Sequence, residues 1–125
     1  MWFYINFFGL LINTISIPYD NGANIKGSSN ANKFIIPELK KINNIKIDRE
    51  KSVDVDNHLF KVFSNGYIKV WNSINENKFP ITIGGDHTVS ISSISAINDY
   101  CNMQKEKLGV IWCDAHADFN TMLTS

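Results

Sequence analysis

The sequence predicts an α/β fold built on a mostly parallel β-sheet with flanking helices. The clearest observation is a strand–helix–strand unit: an apolar run at residues 79–83, a helical pattern at 88–100 and a second apolar run at 108–113. Strands joined through a helix lie parallel, and their crossover is right-handed. A second observation is that a polar loop follows each of these strands, where open parallel sheets bind ligands.

The first half of the chain predicts a strand, a short helix and a second strand. The first strand covers residues 14–18 and gives way to a cluster of turn residues. Residues 33–41 form a helical candidate that Pro37 weakens, because proline lacks the N–H of a helix interior. Residues 42–47 alternate weakly between apolar and polar and predict the second strand.

Two longer helices are expected in the second half. One runs from a cap at Asp54 or Asp56 to about residue 75, because its apolar residues recur mostly at intervals of three, four or seven. Gly66 weakens this helix locally. The other helix covers residues 88–100. Its apolar stripe consists of Ile91, Ile94 and Ile97.

The composition limits the classes of protein to which this chain can belong. The chain has 125 residues, enough for one domain, with 44% hydrophobic and 19% charged residues, which argues against global disorder. Lys plus Arg balance Asp plus Glu at 12 each, so no basic excess indicates nucleic-acid binding. The two cysteines make no disulfide framework, and a reducing, cytoplasmic compartment is expected. Cys113, Trp71 and Trp112 are expected to be core residues.

The N-terminal stretch of residues 1–17 carries no charge and is rich in Phe, Ile and Leu. It lacks the basic region and the cleavage site of a signal peptide. It is also short for a membrane span and contains Asn6 and Asn13. We expect a first strand with an apolar lead-in rather than a membrane or targeting segment, and therefore no membrane partner.

The most informative motif is Asp114-Ala115-His116-Ala117-Asp118. In extended backbone alternate residues point the same way, so three metal-capable side chains would converge at a strand end. Gly84-Gly85-Asp86-His87 places a further imidazole after the neighbouring predicted strand. Carboxylates and imidazoles without a thiolate suit Mn²⁺ better than structural Zn²⁺. The alternatives are a solvated loop at residues 114–118 and a simple tight turn at the two glycines.

Both motifs resemble the first two metal motifs of the ureohydrolases, the family of arginase, agmatinase and formimidoylglutamase. The continuation Phe119-Asn120-Thr121 is similar to arginase in particular. The match is strong over residues 79–121 and loose over 14–78. The resemblance implies a three-layer, arginase-like sheet, with residues 1–125 as the N-terminal part of a single domain that is truncated after the second metal motif.

The resemblance also implies roles for individual residues. The implied ligands of two Mn²⁺ ions are His87, Asp114, His116 and Asp118. Asp114 would bridge both ions, and Asp118 would also take part in catalysis by moving a proton. His116 and Asn120 would contact the substrate, whereas Asp86 would support the site without binding metal. The implied reaction is hydrolysis of L-arginine to L-ornithine and urea, by a cytoplasmic enzyme whose family forms homo-oligomers.

Two later motifs of the family, SxDxDxxDP and SGNxH, do not occur in this sequence. The first of them supplies two further metal aspartates. We therefore expect arginase activity in a full-length parent and an incomplete site in this chain. The alternatives are a non-catalytic truncated relic, another ureohydrolase such as agmatinase or formimidoylglutamase, and a zinc deacetylase that uses one ion.

Overall fold

Three parallel strands and three α-helices make up the part of the chain that the computed structural model describes, residues 10–23, 26–55 and 58–115. The strands form one sheet in the order β2-β1-β3. One-turn 3₁₀ helices precede α1 and α3. The predicted α/β class, a parallel sheet with flanking helices, is confirmed. The elements are β1 (Leu10–Ile17), α1 (Ala31–Leu39), β2 (Ile45–Ser52), α2 (Leu59–Asn75), β3 (Phe79–Gly84) and α3 (Ser90–Met103).

The central strand, β1, is buried on both faces. Ile15 and Ile17 point into the main core, where they meet Val62 and Val70 of α2. Thr14, on the opposite face, is also fully buried. The connection from β1 to β2 runs one way across the sheet, and the connection from β2 to β3 runs the other way. Because such crossovers are right-handed, their helices, α1 and α2, lie on opposite sides of the sheet.

Helices α2 and α3 pack through small residues. Ser92 and Ala96 are the buried residues of α3, whereas Ile91 is 52% exposed. The predicted apolar stripe of this helix is therefore not its buried face, although Ile97 does pack partly against the core. The reason lies in α2, where Gly66 leaves room for only a small neighbour.

Several predicted boundaries shift. Strand β2 covers Ile45–Ser52 rather than residues 42–47, because its main-chain pairing with β1 outweighs a weak and highly charged sequence pattern. Helix α2 begins at Leu59 with His58 as its N-cap, so a cap at Asp54 is wrong. Asp56 lies outside the described residues.

The predicted strand at residues 108–113 is wrong. These residues have no strand pairing in the structure, and Ile111 is 92% exposed. Cys113 is exposed and Trp112 is 48% exposed, so neither is a core residue, whereas Trp71 packs against the core. Apolar composition favours burial, but a strand also needs a paired neighbour and a covering layer. The described residues provide neither here.

The expected apolar lead-in, residues 1–9, lies outside the described residues. Within residues 10–23, 26–55 and 58–115 there is no helix with the length and apolar character needed to cross a bilayer.

Candidate metal site

His87 and Asp114 meet beyond the carboxyl end of β3. Nε2 of His87 lies 3.0 Å from Oδ2 of Asp114, within hydrogen-bond reach. The imidazole is 63% exposed and the carboxylate side chain 10%, so the pair is open to solvent on the histidine side. The structure thus brings together one residue from each of the two motifs that the sequence singled out.

Trp112 supports this contact from the side. Its ring lies edge-to-face against the His87 imidazole, with centroids 5.5 Å apart and an interplanar angle of 85°. The sequence placed Trp112 in the core and gave no indication of this position. Its contact with His87 restricts the orientation of an otherwise exposed imidazole.

Asp86 stabilises the loop that contains His87 through hydrogen bonds. Its Oδ1 accepts a hydrogen bond from the Thr88 main-chain N–H at 2.9 Å and another from the Thr88 hydroxyl. Its Oδ2 accepts from the N–H of Gly22 at 2.7 Å, and its own N–H donates to the Tyr19 carbonyl at 3.0 Å. The loops after β1 and β3 are therefore joined. No local pattern predicts the bond between Asp86 and Gly22, because the two residues lie 64 positions apart.

Two glycines permit this close approach. A Cβ on Gly85 would lie 2.1 Å from the Tyr19 carbonyl oxygen, and a Cβ on Gly22 would lie 2.9 Å from Oδ2 of Asp86. Real side chains do not tolerate contacts that short. The glycines therefore serve contact between the two loops and not merely a tight turn.

The loop after β1 is closed by a second carboxylate. Oδ2 of Asp20 accepts from the main-chain N–H groups of Gly27 at 2.9 Å and Ser29 at 3.3 Å. The hydrogen bond from Gly27 is the main reason that the pKa of Asp20 lies below its ordinary value of 3.8, and a hydrogen bond from the Ser29 side chain lowers it further. Gly27 adopts a φ of 123°, a conformation that side chains rarely allow.

The remaining predicted site residues, His116, Asp118 and Asn120, lie outside the described residues. Among the described ones, no group of three or more His, Cys, Asp or Glu could hold a metal ion. The pair of His87 and Asp114 nevertheless fits one. Two donors that bind an octahedral cation at about 2.1 Å lie about 3 Å apart, close to the 3.0 Å observed. One imidazole and one carboxylate suit Mn²⁺.

A sequence model of the arginase family matches residues 12–125. Arginase from Staphylococcus aureus (strain MRSA252) is 36% identical over 101 residues, which cover 81% of this chain and 30% of that protein. Arginase from Bacillus subtilis (strain 168) is 35% identical over 88 residues, which cover 70% of this chain and 24% of that protein. The chain therefore spans about a third or less of the length of these relatives.

Solved structures show the same relationship. The crystal structure of arginase from Bacillus subtilis superposes with a TM-score of 0.75 at 28% identity, over 92% of this chain and 41% of that one. A putative agmatinase from Clostridium difficile superposes with a TM-score of 0.58 at 18% identity, over 75% of this chain and 38% of that one, and shares the fold alone. Sequence match, parallel sheet and paired motifs agree, and the chain belongs to the arginase family.

Proposed function

We propose that this chain contributes part of a binuclear Mn²⁺ site that hydrolyses L-arginine to L-ornithine and urea. The observation that carries the proposal is the 3.0 Å contact between His87 and Asp114. It joins the two motifs that resemble the metal motifs of the family. The chain spans 30% of the length of the Staphylococcus aureus arginase, so the complete reaction is proposed for a protein that supplies the remaining ligands.

The ligand assignment rests on the resemblance of the two motifs, and donor chemistry agrees with it. Asp114 as a whole is exposed, but its side chain is only 10% exposed, and a carboxylate with so little contact with water is stabilised by a cation. By resemblance to the ureohydrolase motifs, Asp114 would serve both ions, His87 and Asp118 one of them and His116 the other. Asp118 and His116 lie outside the described residues, and further carboxylates are needed to saturate two ions.

The reaction needs a nucleophile, a proton carrier and groups that bind the substrate. Two bound Mn²⁺ ions would supply a hydroxide nucleophile near neutral pH. Addition of hydroxide to the guanidinium carbon of arginine would be followed by cleavage of the C–N bond to the ornithine nitrogen, which takes the proton of the added hydroxyl group and leaves urea. Asp118 would hold and pass this proton. His116 contacts the substrate, and Asn120 hydrogen-bonds its α-carboxylate.

A second candidate is a non-catalytic chain that binds metal without turnover. It is favoured by the small number of ligands that the described residues bring together, His87 and Asp114. Open strand edges and exposed apolar residues in the described part of the chain agree with this reading. Agmatine and formimidoylglutamate are the alternative substrates if turnover occurs.

Calorimetric titration of the 125-residue chain with Mn²⁺ tests the metal site. We expect His87→Ala and Asp114→Asn to weaken binding at least about tenfold. The matched controls are His58→Ala, at the start of α2, and Asp99→Asn, near the end of α3, and both should bind like the wild type. Absence of Mn²⁺ binding by the wild-type chain, or equal losses in the controls, overturns the proposed site.

Urea release then separates the candidate functions. The chain is incubated with Mn²⁺ and either L-arginine or agmatine. Urea from arginine that disappears in His116→Ala supports arginase chemistry within this chain. Metal binding without urea from either substrate shows that this chain alone does not turn over, and leaves the reaction to a protein that supplies the remaining ligands. Turnover of agmatine alone shows that the substrate assignment is wrong.

A further inference from the structure

We infer that Asp86 is a positioning residue for His87 and couples the loop after β1 to the metal site. The inference rests on the proposed function, because it concerns the proposed ligand His87. Its basis is the set of bonds around Asp86: three donors converge on one carboxylate, and one of them, the Gly22 N–H, comes from the loop after β1.

Packing alone does not fix His87, since its imidazole is 63% exposed. Its backbone is held instead. On one side the Asp86 N–H donates to the Tyr19 carbonyl at 3.0 Å, and on the other the Thr88 N–H donates to Asp86 at 2.9 Å. The His87 carbonyl itself accepts from the Ser90 hydroxyl at 2.7 Å. These bonds fix the Cα of His87, and so fix where its ring can reach Asp114.

The chemistry of position 86 requires a carboxylate. The N–H of Gly22, the N–H of Thr88 and the Thr88 hydroxyl all point at its two oxygens. An asparagine of the same shape offers one oxygen, so its NH₂ must face either Gly22 N–H or Thr88 N–H. Asp86→Asn therefore breaks one of these bonds and adds no bulk.

Gly22, the partner of Asp86 in the hydrogen bond between the loops, can be changed independently. Gly22→Ala would place a Cβ 2.9 Å from Oδ2 of Asp86 and 3.2 Å from the Thr88 methyl group. The added methyl group pushes the loop after β1 away from the loop after β3. If the hydrogen bonds between these loops position His87, both variants must disturb the contact of its ring with Trp112.

The direct readout is the nuclear Overhauser effect between the rings of His87 and Trp112 in the metal-free chain, which contains three histidines. We expect this signal to weaken in Asp86→Asn and Gly22→Ala while circular dichroism stays native. Asp99→Asn and Gly109→Ala are the controls, the latter because a Cβ there meets nothing within 4 Å. An unchanged signal in both site variants overturns the inference and leaves Asp86 only as the N-cap of the 3₁₀ helix at His87–Val89. If Asp86→Asn unfolds, Thr88→Val, which removes only one donor, decides by the same criterion.

Mn²⁺ affinity is the second readout. We expect a loss of about tenfold to a hundredfold in Asp86→Asn, the range seen when a residue supporting a metal ligand is removed. Wild-type affinity in a variant whose ring contact is lost contradicts the link to the metal site. If the wild-type chain binds no Mn²⁺, the proposed function fails, while the ring contact still decides whether Asp86 positions His87.

Discussion

Gly66 of α2 lies directly against Ser92 of α3. A Cβ on Gly66 would lie 2.7 Å from the Ser92 oxygen and 2.7 Å from Cδ1 of Ile17. The Ser92 hydroxyl donates to the carbonyl of Phe63, one turn earlier in α2, at 3.0 Å. The glycine that weakens the helix in isolation is therefore what allows α2 and α3 to pack closely over β1.

Gly66→Ala should destabilise the fold. Alanine favours a helix over glycine by about 1 kcal/mol, but an extra methyl group in a packed core costs about 1–3 kcal/mol. We expect a net loss of about 1 kcal/mol in the free energy of unfolding, measured by urea titration with circular dichroism. Gly109→Ala is the control and should change it by less than about 0.5 kcal/mol. A more stable Gly66→Ala variant would show that α3 moves aside freely.

Ser73 should stabilise the polar side of the core. It is fully buried in α2, where its oxygen accepts from Asn13 of β1 at 3.1 Å and from Lys51 of β2 at 3.0 Å. Ser73→Ala leaves both donors short of one partner. We expect a loss of about 1–2 kcal/mol in thermal or chemical unfolding. Ser93→Ala, whose hydroxyl bonds only to a carbonyl of its own helix in the described structure, is the matched control. Equal effects in the two variants would contradict this role.

Acid should weaken the loop after β1 through Asp20. The Gly27 N–H is the main group that holds the pKa of Asp20 below 3.8 in the folded chain. A lowered folded pKa contributes stability above the unfolded value, and this contribution is lost as pH falls through the folded pKa. Between about pH 4 and pH 2, the melting temperature of the wild type should therefore fall more steeply than that of Asp20→Asn.

Scanning calorimetry across that range measures the slope. Asp54→Asn, at an exposed position beyond β2, is the matched control for loss of one carboxylate. Parallel curves for the wild type and Asp20→Asn would show that the hydrogen bonds from Gly27 and Ser29 do not affect stability.

Residues 110–112 should drive self-association of the chain. Val110, Ile111 and Trp112 are 55%, 92% and 48% exposed. Strand β3 also has an outer edge that pairs with no strand of the described structure and carries no charged residue, whereas β2 carries charges along its length. Uncharged open edges and exposed apolar groups favour association.

Ile111→Lys should lower the associated fraction in analytical ultracentrifugation. Stability should change by less than about 0.5 kcal/mol, because a side chain this exposed makes few contacts. Ile91→Lys, at an exposed position of α3, is the control for added charge. Equal reduction of association by both variants would attribute the effect to net charge rather than to this segment.

Elements with strong local patterns were predictable. Strand β3 coincides closely with its predicted span and helix α2 ends where predicted, since an apolar run and helical periodicity are both patterns of consecutive residues. The loop of residues 84–87 could be singled out for the same reason, as its residues are neighbours in sequence. The strand at residues 108–113 was predicted on apolar composition, and composition does not show whether a pairing partner is present.

By itself, the sequence determined the parallel α/β class, the order of the elements from β1 to α3 and the resemblance to the arginase family. Only the tertiary structure decided which face of α3 is buried, where Trp112 lies, and that Gly22 bonds to Asp86. The physical reason is the distance along the sequence between the residues that interact. Helix and strand patterns depend on residues within a few positions, whereas close packing and hydrogen bonds between loops depend on residues brought together from distant parts of the chain.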